Sequence, residues 1–171
     1  GIVRDGVTAN LATNLVDVTR YDYQDQIFQT GMGTENGLSI SGGNDRTSYY
    51  GSVNYSKNEG IIVGTDFTRY GLRTRIDQKL NNWARFTVGL SYTNSFSNEK
   101  ANGNVFYSPI NSINITNNIW DITKRDAAGS LLAVEPTRVN PLSTIEDMVF
   151  TQAVNRTIND FQLNLTPVKG L

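Results

Sequence analysis

Apolar and polar residues alternate with a period of two along most of the chain from Asn36 onward, and this period is typical of β-strands. Four such runs follow one another, separated by clusters of Gly, Asn and Asp, and a fifth run ends before Pro167. The apolar members of each run share one parity: Leu38, Ile40, Tyr49, Val53, Tyr55, Tyr70, Leu72, Ile76, Phe86, Val88, Leu90, Tyr92, Phe161, Leu163 and Leu165. The pattern predicts five antiparallel strands joined in sequence as a meander.

The lengths of these runs and of their connections favour a membrane barrel. Each run is about 9 to 12 residues, longer than the roughly 5 or 6 of globular strands and close to the roughly 9 to 11 that cross a bilayer. Connections 43–47, 81–83 and 167–170 are short, whereas 57–66 and 95–153 are long. Alternate connections of a meander lie at opposite ends, so short turns and long loops separate as they do in outer-membrane barrels.

We therefore predict an all-β fold, an antiparallel up-and-down meander forming about five strands of a large transmembrane β-barrel with one long extracellular loop. The polar parity of the third run holds Arg69, Arg73, Arg75 and Asp77. A charge facing lipid near the membrane centre costs about 2–4 kcal/mol, so these four residues should line the lumen. A soluble β-sandwich shows the same alternation and stays open as an alternative.

The chain divides into four parts. Residues 1–34 form a lead-in with a possible short helix at 23–28, and 35–94 hold four barrel strands. Residues 95–153 form the long loop, and 154–171 hold the fifth strand and the start of a turn. Within the loop, Ser143 and Glu146 have capping-box spacing, which predicts a short helix over 142–148. The glycines predicted to serve as structural turn residues are Gly42, Gly43 and Gly60.

Three aromatic residues of the long loop are candidates for ligand contact. Phe106, Tyr107 and Trp120 would stack on sugar rings or anchor a peptide if they are exposed. The alternative is that they pack the loop against its neighbours. Because five strands cannot close a barrel and open edges are not tolerated in lipid, we expect the chain to be part of something larger.

Composition removes most catalytic chemistry. The chain has no Cys and no His, which excludes disulfides, thiol nucleophiles and imidazole acid–base groups. Adjacent carboxylates such as Glu146 and Asp147 point in different directions, so a glycosidase pair is not expected. The net charge of −1 gives no field for nucleic acid. We predict no enzymatic activity, no cofactor, no metal site and no nucleic-acid partner.

Several stretches resemble one family in order along the chain. LSISGGNDRTSYYGSVNY (38–55), NEGII (58–62) and GTDFTRYGLRTRID (64–77) are similar to segments of SusC/RagA-family TonB-linked outer-membrane transporters. YQDQIFQTG (23–31) resembles the family's lead-in, NPLSTIED (140–147) its loop element, and TPVKGL (166–171) the turn before another strand. Together these matches cover most of residues 20–94 and the last part of the chain.

The resemblance implies a barrel of about 22 strands in the outer membrane, surrounded by lipid and lipopolysaccharide and plugged by an N-terminal domain. It implies import of oligosaccharides or peptides with a SusD-like surface lipoprotein as lid. No family motif fixes contacts in 95–135, so Phe106, Tyr107 and Trp120 are candidates for substrate or lid contact from their residue type alone. The TonB complex would act through parts of the parent protein outside this chain. A soluble all-β glycan-binding module remains the alternative function.

Overall fold

The computed structural model describes residues 2–4, 7–9, 17–103, 106–134 and 139–166. Five long strands form one antiparallel sheet in sequence order, which confirms the predicted all-β meander. These strands are β3 (Gly33–Gly43), β4 (Thr47–Glu59), β5 (Asp66–Lys79), β6 (Ala84–Glu99) and β7 (Phe150–Leu165). They are preceded by a separate hairpin of β1 (Ile2–Arg4) and β2 (Val7–Ala9). The helices are α1 (Gln24–Ile27), α2 (Pro109–Ile115) and α3 (Ser143–Glu146).

The strand register brings the apolar runs together on one side of the sheet. Leu38 lies opposite Val53, Val53 opposite Leu72, and Leu72 opposite Tyr92. Directly opposed residues of antiparallel strands point to the same side, so the alternation in each strand adds up across the sheet. The apolar face is defined by Leu38, Ile40, Tyr49, Val53, Tyr55, Tyr70, Leu72, Ile76, Phe86, Val88, Leu90, Tyr92, Phe161, Leu163 and Leu165.

The apolar face is uncovered. Leu38 is 73% exposed and Phe161 is 72% exposed, and apolar side chains of the central strands also keep much of their surface open. A water-soluble domain covers such a face with a second layer of secondary structure. The described part of the chain provides no such layer.

Tyrosines mark the border of the apolar face towards the long loops. Tyr55 and Tyr70 lie opposite each other with their ring centroids 5.0 Å apart. Beyond them the same parity turns polar, with Lys57 on β4 and Asn94 on β6. The strands of 11 to 16 residues are longer than predicted because their ladders continue past the apolar face into these polar residues.

The connections separate by length as predicted from the sequence. Residues 44–46 and 80–83 form short turns at one end of the sheet, and 60–65 and 100–149 lie at the other end. Gly42 and Gly43 are the last residues of β3, so the turn itself starts at Asn44. The Asn44 side chain accepts hydrogen bonds from the backbone amides of Arg46 and Thr47, and these bonds close the turn. The turn predicted at 167–170 lies outside the described residues.

The buried core lies among the loops and not on the sheet. Tyr23 of the lead-in packs with Ile122 and Val134 of the long insert. Ile27 of α1 is fully buried, and its carbonyl accepts a hydrogen bond from the amide of Val63. We call the described residues of 17–32, 60–65 and 100–149 the loop cap. The lead-in is therefore a structural part of the long-loop end.

Two helices occur where the sequence predicts them, but one cap differs. α1 lies within predicted 23–28, and α3 lies within predicted 142–148. Ser143 does not cap α3, because it is the first helical residue and its hydroxyl donates to the Asn140 carbonyl. The N-cap position is Leu142, which has no capping side chain, and the Asn140 side-chain oxygen accepts the Leu142 amide at 2.9 Å in the turn before the helix. α2 was not predicted.

No helix among the described residues is long and apolar enough to cross a membrane.

Candidate functional site

The predicted lumen residues share the face of the sheet opposite the apolar face. Arg73 lies opposite Ser52 on one side and Ser91 on the other. Arg69 and Arg75 fall on the same parity of β5, as does Asp77. We call this the polar face; its other residues include Tyr50, Ser52, Asn54, Ser56, Arg85, Thr87, Gly89, Ser91, Thr93, Arg156, Ile158 and Asp160. The structure thus brings Arg69, Arg73, Arg75 and Asp77 onto one surface.

Two of these four residues neutralise each other. Arg75 Nε lies 3.2 Å from Asp77 Oδ2, and the Thr87 hydroxyl donates to Asp77 Oδ1 at 2.5 Å. Within the described residues, Arg69 and Arg73 form no ion pair with a carboxylate. These four residues therefore comprise one ion pair and two arginines, Arg69 and Arg73, whose charge no described carboxylate neutralises.

Two further charged residues lie on this surface and were not among the predicted lumen residues. Arg156 on β7 lies opposite Thr93, and Asp160 lies opposite Gly89. Both stand at polar positions of the fifth run, so its alternation places them on the polar parity. Their position beside the β5 arginines depends on the β6–β7 register, which pairs residues on either side of the long insert.

A shallow trough runs over the middle of the polar face. It consists of two adjoining depressions of about 260 and 350 Å³ that share Ser91 and Ile158. Small side chains on β6 form its floor, because Gly89 and Ser91 project little above the backbone. We call it the arginine trough; its polar lining residues are Arg69, Arg73, Arg75, Ser91, Thr93, Ser95, Arg156 and Asp160.

The aromatic candidates lie on the surface of the loop cap. Phe106 is 76% exposed, Tyr107 42% and Trp120 40%. Helix α2 comes between the first two and Trp120 in the chain, and among the described residues no ring contact joins the three. They are available for contact, but the structure does not assemble them into one stacking site. Their role stays a prediction.

A cavity of about 510 Å³ opens where the loop cap meets the sheet. Its wall combines Thr65 of the β4–β5 loop with Asn98 at the end of β6 and Ser108 before α2. Lys100 also lines it, and its ammonium group donates to the carbonyls of Ile145 and Met148 at 2.6 and 3.0 Å. The lysine charge thus serves to hold α3 against the sheet.

Charged groups of the insert are engaged locally. Arg125 and Glu146 form an ion pair at 2.7 Å, and this hydrogen bond raises the pKa of the Arg125 guanidinium. The Thr123 hydroxyl and amide donate to Asp121 and lower the pKa of its carboxyl group. In the part of the chain that the structure describes, no group of three or more acidic, Cys or His side chains could hold a metal ion.

Gly60 follows β4 directly and begins the β4–β5 loop. Its amide donates to the Thr65 carbonyl at 2.9 Å, and a Cβ at this position would clash with the Thr65 hydroxyl. At the other end of the sheet, a Cβ on Gly42 would clash with the Tyr49 hydroxyl. Neither glycine has a positive φ, and a side chain at either position would require the neighbouring Tyr49 or Thr65 side chain to move.

An open meander with one uncovered apolar face and one charged face is the architecture of a β-barrel wall. No protein-family model matches the chain. The chain is 30% identical over 126 residues to the TonB-dependent receptor SusC of Bacteroides thetaiotaomicron, covering 74% of the chain and 10% of that receptor. This similarity confirms the resemblance seen in the motifs: the chain is similar to a segment of SusC.

Two further relatives come from Formosa agariphila. TonB-dependent receptor P3 is 34% identical over 70 residues, covering 41% of the chain and 7% of the receptor. TonB-dependent receptor P39 is 28% identical over 127 residues, covering 73% of the chain and 12% of the receptor. The chain thus spans about a tenth of the length of the curated relatives it matches.

Proposed function

We propose that the chain forms part of the barrel wall and the extracellular loops of a TonB-dependent outer-membrane importer of oligosaccharides or peptides. The observation that supports this most directly is the uncovered apolar face backed by a charged face. In a bilayer the apolar face is satisfied by lipid and the arginines face a watery lumen, so both faces are stable at once. The similarity to TonB-dependent receptors supports the same function.

Import would proceed by binding and gating without covalent chemistry. The loop cap lies at the end where barrels of this class carry their extracellular loops. Phe106, Tyr107 and Trp120 would contact a substrate or a SusD-like surface lipoprotein acting as lid. The TonB complex would supply energy through other parts of the protein.

A soluble glycan-binding module is the competing function. It would need a second layer over the apolar face, because exposing that many contiguous apolar side chains to water favours aggregation. Nothing in the described part of the chain packs on that face. The membrane setting is therefore the better proposal.

A single-cysteine scan tests the membrane setting. The chain contains no Cys, so a spin label can be placed at one position at a time in a cysteine-free version of the full protein in lipid vesicles. Labels at Leu90→Cys and Leu72→Cys should be relaxed mainly by oxygen, which concentrates in lipid. Labels at the adjacent Ser91→Cys and Arg73→Cys should respond to a water-soluble nickel complex.

Along β5 and β6, successive labels that alternate between relaxation by oxygen and relaxation by nickel would support the barrel wall. Equal access of nickel to both parities, or a cooperatively folded monomer in plain buffer, would exclude it. Uptake of labelled oligosaccharides and peptides by cells with and without the protein then tests the importer function.

A further inference from the structure

The arginine trough has more positive charge than its own acids neutralise. Among the described residues, the ion pair on the polar face is that of Arg75 with Asp77. Arg69, Arg73 and Arg156 line the trough without such a partner, and Asp160 is the one other acid in its lining. The lining of the trough therefore carries a surplus of positive charge.

The three arginines surround the trough floor. Arg69 and Arg73 are separated by about 14 Å along β5, at about 3.4 Å a residue. Arg156 lies two strands away, about 10 Å across, because its partner Thr93 is itself opposite Gly71 of β5. Gly71 is midway between the two β5 arginines, so the three form a triangle around Thr93, and Ser91 lies beside it, directly opposite Arg73.

This arrangement suits a ligand with several anionic groups. A guanidinium group binds carboxylate or sulfate oxygens through two parallel hydrogen bonds. A single small anion would use one arginine, whereas an elongated ligand with recurring charges can meet all three. The hydroxyls of Ser91, Thr93 and Ser95 between the arginines offer hydrogen bonds to sugar hydroxyl groups.

We propose that the arginine trough binds an anionic oligosaccharide, one that bears carboxylate or sulfate-ester groups. The proposal rests on the proposed function, because the trough faces the lumen only if the apolar face meets lipid. It adds that the imported oligosaccharide is anionic. The competing occupant is a set of carboxylates from elsewhere in the same protein.

Charged thiol reagents measure the potential in the trough directly. In the full protein carrying Ser91→Cys, anionic sulfonatoethyl methanethiosulfonate should react about tenfold faster than the cationic trimethylammonioethyl reagent, after correction for their rates with free cysteine. Arg69→Gln, Arg73→Gln and Arg156→Gln together should abolish this preference. Arg85→Gln, the same substitution on the same face outside the trough, should leave it intact.

No preference, or no reaction of the introduced thiol with either reagent, would show that the protein's own groups neutralise or fill the trough, and this overturns the proposal. Protection from labelling then identifies the ligand class. Hexagalacturonate should protect the thiol at a concentration at least about tenfold below that of neutral maltohexaose, and the triple variant should lose this difference.

Equal protection by both sugars, or protection by hexa-aspartate alone, would also overturn the proposal. Failure of the proposed function has a different signature, because the spin label of the Leu90→Cys variant would then be accessible to nickel. If Leu90 faces lipid and the trough carries no positive potential, the proposal of an anionic ligand is rejected and the proposed function still stands.

Discussion

The tight turn between β3 and β4 depends on the missing side chain at Gly43. A Cβ there would lie 2.5 Å from the Thr47 carbonyl oxygen and 2.9 Å from Ser48 Cα. Both neighbours are backbone atoms, so relief requires the turn to move. We expect Gly43→Ala to destabilise the folded protein by about 1–3 kcal/mol, measured as a lower midpoint in a denaturant titration.

Gly37→Ala on the same strand is the matched control. The nearest neighbour of its Cβ is the Val53 carbonyl oxygen at 3.9 Å, which is ordinary contact. Because alanine is preferred over glycine in a strand, this variant should be neutral or slightly more stable. Equal effects at both positions would show that close approach at Gly43 is unimportant.

Asn140 holds the insert together through three hydrogen bonds. It is 4% exposed, its side-chain amide donates to the carbonyls of Ile122 and Leu132, and its oxygen accepts the Leu142 amide. Asn140→Ala leaves the buried Ile122 carbonyl unpaired, at about 1–3 kcal/mol, and removes the partners of two part-buried backbone groups. Hydrogen exchange should accelerate by at least about tenfold in 120–134 and 139–148, and unchanged exchange there would contradict this role. The exposed Asn114→Ala on α2 should leave exchange unaltered.

At the scale of elements, the lead-in and the insert are joined by Tyr23. Its hydroxyl lies 2.8 Å from the Asn117 carbonyl and 2.7 Å from the Trp120 carbonyl, and its ring packs on Ile122 and Val134. The lead-in therefore positions Trp120, one of the predicted contact residues, through its backbone. The predicted contact at Trp120 would therefore be coupled to the docking of the lead-in.

Tyr23→Phe should keep the ring packing and lose the hydroxyl contacts, at a cost of about 1 kcal/mol. We expect faster hydrogen exchange at 117–122 with the sheet unaffected. Tyr21→Phe is the control, since within the described residues its hydroxyl makes no hydrogen bond. A response spread over β3 to β7 would show that the lead-in supports the sheet and not the loop cap.

The strands could be predicted from the sequence and much of the loop cap could not. Period two persists over each strand, so Leu72 and Arg73 reveal their faces without knowledge of any partner. Helix α2, with the sequence PINSINI, lacks a helical apolar period and is rich in Asn and β-branched Ile, so its local signal is limited to Ser108 followed by Pro109 at the first helical position. The packing of Tyr23 on Ile122 joins residues far apart in the chain and is likewise invisible to local patterns.

At the scale of the whole molecule, local sequence patterns also do not show how residues of different strands come together on the polar face. The shared face of Arg69, Arg73, Arg75 and Asp77 can be predicted from the sequence of β5 alone. The arginine trough exists only because β6 carries Gly89 and Ser91 between these residues and Arg156 on β7. The arginine trough depends on the pairing register of three strands, so it cannot be predicted from any one segment of the sequence.

The two faces of one strand provide the sharpest test of how the molecule is embedded. Ile40 lies on the apolar face, opposite Gly51, and the adjacent Ser39 lies on the polar face, opposite Ser52. Both are exposed on the sheet, so an arginine fits at either position without displacing packed neighbours. If lipid covers the apolar face, Ile40→Arg places a charge in hydrocarbon and costs about 2–4 kcal/mol, whereas Ser39→Arg places the same charge in water at little cost.

Folding of the full protein into lipid vesicles, followed through a urea titration, measures the difference. Ile40→Arg should lower the urea midpoint clearly, and Ser39→Arg should stay close to the parent because its side chain meets solvent. In detergent-free buffer a soluble module would give the opposite ranking, since an arginine on an exposed apolar face improves solubility. Equal midpoints in vesicles would mean that neither face of β3 contacts lipid, and the barrel-wall assignment of this strand would then be wrong.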